Sequence, residues 1–364
     1  AKSNPTTTPI DDLERRSDDC SSSKLLEEMC EVLSHVDVPM EPACSFCHEV
    51  RVSPNRPGSL AAALRNASAR TSLILEEGVF VECEPLRITQ PGVSLSSATT
   101  SMAHVVTSST EPAGRCLISI EAQEVVVRSI HFEIDSGNKS ESPEKGAAQN
   151  SVCLSVKGDA NPEVIECSFT AKHGYGIEIR DSSSPSIQNC EISHSSCGIH
   201  VRGHSTPVVR GSRIHHCHDA CMKLSDDCGG LVENNSMEDS FEAGIVASGR
   251  STTAINGNSL HNTTGCGFLL LDSTTVSCSQ NEVVGKHING VQAGEDSDIT
   301  FQNNKIIASE GSGIVVHDSA RGSFFANDVK GTKMAGVGVR DLANPLMCGN
   351  IITGGQGSGV VLVG

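Results

Sequence analysis

NSLHNTTGCGFLLLDSTTVSCSQ (258–280) runs directly into NEVVGKHINGVQAGEDSDITFQN (281–303), two blocks of equal length that open on Asn258 and Asn281. Under the differing letters lies one frame: Asn, an apolar residue two positions on (Leu260, Val283), a glycine (Gly267, Gly290), then alternating apolar residues (Phe268 and Leu270, Val291 and Ala293). Extended outward, the frame places Asn235, Asn258, Asn281, Asn304, Asn327 and Asn350 at every twenty-third position without a break. Fourteen positions before each stand Cys221, Gly244, Gly267, Gly290, Gly313 and Gly336. A unit this short is one supersecondary element, and it buries its apolar face only by stacking on its neighbours. The period therefore predicts a solenoid.

The glycine column continues upstream through Gly198 and Gly176 to Cys153, and downstream to Gly359. The pairs that follow it, such as Ile177 and Ile179, Ile199 and Val201, Met222 and Leu224, alternate with the period of a strand that has one buried face. A second strand centres on Ile187, Val209, Val232, Ile255, Cys278, Phe301, Phe324 and Met347, and a third on Phe169, Ile192, Ile214, Met237, Leu260, Val283, Ile306, Val329 and Ile352. Gly, Asn, Asp, Ser and Pro fill the intervals, as tight turns require. Three short strands in so short a unit leave no room for a helix. The expected fold is all-β, a single-stranded right-handed parallel β-helix of about ten coils.

Asn at one turn of every coil has a physical reason. It tolerates left-handed backbone angles, and its amide reaches the Asn of the next coil, about 4.8 Å away. The column is expected to be a structural ladder that starts at Asn235, with Cys167, Cys190 and Ser212 holding the same place in earlier coils.

Upstream the register loosens. Gly58 to Ala67 reads as a short helix that caps the solenoid, followed by strands over 73–81, 86–88, 93–95, 117–120 and 125–132. Two regions result: an N-terminal extension over 1–57, partly disordered with a short helix near 23–33, and a β-helix over 58–364. A polar insertion, DSGNKSESPEKGAAQN (135–150), interrupts the β-helix.

The chain has 27 Lys and Arg against 44 Asp and Glu, a formal net charge of −17, which repels nucleic acid and anionic membranes. No apolar run approaches the roughly 18 residues that a membrane-spanning helix needs, so membrane insertion is not expected. No basic-then-apolar leader opens the chain. Several of the 16 cysteines stand where other repeats carry Ala, Gly, Ser, Asn or Ile, and they read as buried thiols of a reducing, intracellular compartment.

The stretches HSTPVVRGSRIHH (204–216), CGGLVENNSMEDSFEAGIVAS (228–248) and STTAINGNSL (251–260) resemble the CASH-type repeats of the F-box β-helix proteins and of the Shc SH2-domain-binding relatives. The likeness spans roughly residues 58–364 and implies a β-helix that recognises other proteins. In the F-box members an N-terminal F-box recruits a ubiquitin-ligase core; LLEEMCEVLSHV (25–36) does not carry that pattern, so ligase recruitment is not implied here.

Right-handed β-helices also cleave polysaccharides, and the residues for such chemistry stand on the outward side of the first strand. Glu178, His200 and Lys223 follow one another on successive coils, with Arg180 and Arg202 beside them, a set able to move protons. On later coils the same column becomes Val246, Leu269, Gln292, Val315 and Gly338, an apolar face suited to a protein partner. Asp226 and Asp227 resemble the paired carboxylates of galacturonan hydrolases, yet the same turn carries Asp181, Asp272, Asp318 and Asp341 on other coils. With no Trp and one Tyr, few rings remain to stack on a sugar.

Two groups have metal-compatible spacing. Cys44 and Cys47 with His48 form a CxxCH string that also fits part of a zinc site. His194 and His216 hold equivalent positions on adjacent coils. The composite expectation is a noncatalytic protein-recognition or scaffold β-helix with no catalytic residue and no required cofactor, zinc being the one ion considered. The alternative is a polysaccharide lyase or hydrolase centred on Glu178, His200, Lys223 and Arg202.

Overall fold

The computed structural model describes residues 48–107, 116–135 and 151–364. Within residues 46–364 the chain forms one unit, built from three parallel sheets of 12, 13 and 12 strands. Each coil contributes one strand to each sheet. In the coil that opens at Cys266 these are Cys266–Leu270 in sheet 1, Ser277–Ser279 in sheet 2 and Glu282–Val284 in sheet 3. Every strand pairs with its equivalent one coil away, as Phe268 does with Val291, Cys278 with Phe301 and Leu260 with Val283.

The three apolar columns point into the lumen and form a continuous core along the described coils. Phe80, Phe132, Phe169, Phe268, Phe301 and Phe324 are fully buried there. Neighbouring rings meet at 5.4 Å for Phe132 and Phe169, and at 5.8 Å for Phe268 and Phe301. The glycine column is explained by close approach. A Cβ on Gly267 would lie 2.5 Å from Val283 Cγ1 and 2.6 Å from the Gly290 carbonyl oxygen. Gly176, Gly198, Gly290 and Gly313 face Ile192, Ile214, Ile306 and Val329 in the same way. Where Cys221 and Cys153 break the column, the residue at the equivalent core position is Met237 or Phe169, neither branched at Cβ.

The Asn ladder is present and fully bonded. Asn258 donates from its backbone N and from Nδ2 to Asn281 Oδ1 (2.9 and 3.0 Å), and Nδ2 also donates to the Val232 carbonyl at 2.9 Å. The pattern repeats to Asn350, and Asn235, Asn258, Asn281, Asn304 and Asn327 are almost completely buried. One expectation needs correction. The ladder residues do not take left-handed backbone angles; the residue before each does, namely Asn234, Gly257, Gln280, Asn303, Ala326 and Gly349. Asn is required for its two-faced amide, not for its backbone tolerance. The ladder also starts earlier than Asn235, because Ser212 Oγ accepts the Cys190 N–H at 3.1 Å while the Ser212 N–H donates to Asn235 Oδ1. Ahead of it the Cys190 and Cys167 thiols donate to the carbonyls of Val164 and Val127.

The capping helix spans Ser59–Asn66 and buries Leu60, Ala61 and Leu64. Gly58 starts it in a left-handed conformation without a side-chain cap of its own. Buried Glu82 supplies one from the neighbouring strand, accepting the N–H groups of Leu60 (3.0 Å) and Ala61 (3.2 Å). A strand ahead of the helix, His48–Val52, pairs with Thr71–Leu75 at the edge of sheet 2, before the boundary drawn at residue 58. The described coils number about thirteen rather than ten. The early ones escape a count based on the period because their intervals depart from 23: Leu95 pairs with Val127 and Ser119 with Ser155. Nearly all of the 135–150 insertion, the 23–33 segment and both Cys44 and Cys47 lie outside the described residues. Among the described residues no helix is long and apolar enough to cross a membrane.

Candidate functional site

Parallel register, with its spacing of about 4.8 Å between coils, stacks whatever residue occupies a column. On the outward side of sheet 1 it places Glu178 beside His200, His200 beside Lys223, and then Val246, Leu269, Gln292, Val315 and Gly338. The four residues expected to work together are therefore neighbours, but most of their charge is already spent. Glu178, 8% exposed, is held by Arg202 at 2.8 Å. Lys223 Nζ meets Glu242 at 2.8 Å and Asp219 at 4.0 Å. Burial opposes the Lys223 charge, yet the Glu242 hydrogen bond and field hold its pKa above the ordinary lysine value, so it carries its proton at neutral pH.

His200 differs from its neighbours. Burial first, then the cations Arg202 and Lys223, push its pKa down to about 4, so the imidazole is neutral. Its Nε2 lies 3.1 Å from Ser225 Oγ, and its ring meets Tyr175 edge-on with centroids 5.1 Å apart. Its buried Nδ1 has no hydrogen-bond partner. Sequence reasoning misses Tyr175 and Ser225 as members of this group, because Tyr175 stands at a strand entry and Ser225 at a turn, outside the columns that define the repeat.

The paired carboxylates are committed elsewhere. Asp226 takes a left-handed turn conformation and accepts the Gly203 N–H at 3.0 Å. Asp181, Asp272, Glu295, Asp318 and Asp341 make the equivalent bond to the preceding coil. Asp227 is gripped by Arg250 through two contacts of 2.6 Å. This turn is a second ladder, built of carboxylates.

Beyond Lys223 the outward face becomes apolar. Ala220, Ala243, Val246 and Cys266 form a small cluster outside the lumen, with Leu269 packed on it. Farther along, Val315, Met334, Ala335, Gly338 and Val361 line a groove of about 400 Å³. Phe241, Ile288 and Met334, at 67%, 58% and 62% exposure, stand on the turns that lead into this sheet. The signal for these three lies in the turns, where the strand columns do not look.

The metal-compatible residues fare differently. His194 and His216 sit in left-handed turn positions, which favour His, Asn and Asp, and the column continues as Asp239 and Asn262. Their rings stack face to face, centroids 5.1 Å apart and 7° from parallel, while His216 turns toward His215 and Asp239. Stacked faces do not aim two nitrogen lone pairs at one ion. His48 lies on the edge strand, exposed.

No curated protein sequence matches the chain. Among solved structures it is similar to a Dettilon tailspike protein (TM-score 0.63, 14% identity, 86% of this chain and 68% of that one). It is also similar to pectate lyase Pel9A (TM-score 0.54, 13% identity, 76% and 80%) and to the catalytic unit of a Streptomyces thermodiastaticus α-1,3-glucanase (TM-score 0.58, 15% identity, 89% and 68%). Identities this low establish a shared fold. The family model described as the right-handed beta helix region matches residues 152–306 and 289–364, more than half of the sequence. The chain belongs to the right-handed β-helix family.

Proposed function

We propose that this β-helix is a noncatalytic recognition module, which presents the outward face of sheet 1 to another protein inside the cell. One observation carries the reading. On that face the charged residues are consumed by one another, Glu178 by Arg202 and Lys223 by Glu242, and the coils that follow carry an apolar strip, itself largely buried, that is flanked by the exposed Phe241, Ile288 and Met334. Large hydrophobic residues exposed together mark interaction surfaces. The resemblance of the repeats to those of the F-box β-helix and Shc SH2-domain-binding proteins supports the same reading.

A second reading rests on His200. A neutral imidazole set beside Tyr175 and two cations can accept a proton, and His200 is the base that such a reading would use on an acidic polysaccharide. The single Tyr, the absence of Trp and the burial of six Phe in the lumen weigh against a sugar cleft.

The deciding experiment compares the parent chain with a Phe241→Asp, Ile288→Asp, Met334→Asp variant, changed only at exposed positions, in affinity capture followed by cross-linking and mass spectrometry. The expected result is a protein partner cross-linked to sheet 1 and lost from the variant, at unchanged melting temperature. Cleavage of a uronate polymer that disappears with Lys223→Ala or His200→Gln would overturn the recognition reading in favour of the enzyme.

A further inference from the structure

The strand Ala103–Thr107 of sheet 3 lies one coil before Ile130–Asp135. Parallel pairing sets His104 directly beside His131 and Val106 beside Glu133. Because side chains alternate along a strand, His131 and Glu133 share the outward face, and His104 joins them there. His104 Nε2 lies 3.1 Å from Glu133 Oε2, and His131 Nε2 lies 3.8 Å from the same oxygen. The two imidazoles stand 4.4 Å apart, inclined by 59°. All three ligand atoms fall within 4.8 Å of one another.

In a tetrahedral zinc site with bonds of about 2.0–2.2 Å, ligand atoms lie about 3.3–3.5 Å apart. The two nitrogen-to-oxygen separations bracket that value and the imidazole nitrogens lie within 4.8 Å of each other, so small side-chain rotations, of the order of an ångström, would close the site. We propose that His104, His131 and Glu133 bind a divalent transition metal of the zinc class, with the remaining coordination taken by water. The three side chains are 27–35% exposed, which leaves a path for that water. Two imidazoles and one carboxylate suit zinc, whereas magnesium and calcium take oxygen ligands.

The position in the fold gives the ion a task. His104 and His131 are 27 residues apart, a longer interval than the 23 of the later coils. Here the Asn ladder is absent, and a bound ion would tie two consecutive early coils together. The other His and carboxylate cluster, His317 with Asp318 and Asp341, is a weaker candidate, because both aspartates already accept backbone N–H groups in the carboxylate ladder.

The test uses the full chain carrying Cys44→Ser and Cys47→Ser, so that thiolates near the N-terminus cannot take up the ion. After chelator treatment the protein is titrated with zinc by calorimetry, and with cobalt(II), whose visible spectrum separates nitrogen and oxygen ligands from thiolate. Zinc uptake is expected to include one equivalent that His131→Gln and Glu133→Gln each weaken at least tenfold. Zinc should raise the melting temperature of the parent but not of either variant. His194→Gln combined with His216→Gln should leave that equivalent in place. Should His131→Gln melt early without metal, His104→Gln carries the test. Zinc uptake that is absent, or that survives both Glu133→Gln and the histidine variants, overturns the assignment.

Discussion

Replacing Asn281 by alanine probes the ladder at its centre. Asn281 Oδ1 accepts the Asn258 N–H at 2.9 Å, and its Nδ2 donates to the Ile255 carbonyl at 2.9 Å and to Asn304 Oδ1 at 3.0 Å. Alanine leaves the buried Asn258 N–H without an acceptor, which costs about 1–3 kcal/mol. Each lost amide hydrogen bond contributes about 0.5–1.5 kcal/mol more. The expected loss is about 3 kcal/mol, a large share of the roughly 5–15 kcal/mol that holds a domain together. Asn281→Ser should lose less, because Ser212 already serves this column as an acceptor for Cys190 N–H. Asn281→Asp should lose most, since a buried carboxylate would face the Ile255 carbonyl and Asn304 Oδ1 with no proton to offer. Urea denaturation followed by circular dichroism ranks the three, and native-state hydrogen exchange tests whether the damage concentrates at the Asn258 amide and the coils beside it. An Asn281→Ala loss below about 0.5 kcal/mol, smaller than one ordinary hydrogen bond, would refute the ladder's energetic role. So would a serine variant no more stable than the alanine one.

Gly267→Ala should destabilise by about 1–3 kcal/mol or more, since the new Cβ meets the Gly290 carbonyl at 2.6 Å. Gly338→Ala, where nothing lies within 4 Å, should be close to neutral, and equal melting temperatures for the two variants would contradict the packing argument. His200 gives a pH dependence of definite sign. Its folded pKa of about 4 lies below the ordinary value near 6.5, so the unfolded chain takes up the proton first, and stability falls as pH drops across that window. In His200→Gln part of this slope should vanish from urea midpoints measured at several pH values; identical slopes in parent and variant would sink the assignment.

The solenoid is legible in the sequence because stacking forces equivalent positions to repeat, and Gly267, Phe268 and Asn281 each have a counterpart one period away in Gly290, Val291 and Asn304. Backbone conformation is not. The left-handed residue of the Asn turn is Gly257, Gln280 or Ala326, and a column of such mixed chemistry carries no letter pattern. His104 escapes notice for a related reason: its coil interval is 27, so it never aligns with the later columns. Glu178, His200 and Lys223 are correctly placed as neighbours, since register alone decides that. Their partners Tyr175, Ser225 and Glu242 come from strand entries and turns, whose side-chain directions follow from three-dimensional closure rather than from the period.

A column of identical polar residues in a β-helix is therefore poor evidence of a site. Each coil buries turn N–H groups that need acceptors one coil away, and Asn281 and Asp318 meet that need in two different turns. His194 and His216 fit a third turn, one that selects for left-handed backbone. Fold requirements repeat because every coil has them, whereas a ligand touches only a few coils. Function should then lie where a column changes its chemical kind. Sheet 1 does so between Lys223 and Val246, passing from paired ions to an apolar face. Sheet 3 does so at His104 and His131, two adjacent imidazoles whose column continues as Ser168 and Glu191. Neither place is fully explained by the stacking that builds the helix, and a ligand can reach the first through the exposed Phe241 turn beside it and the second through its part-exposed imidazoles.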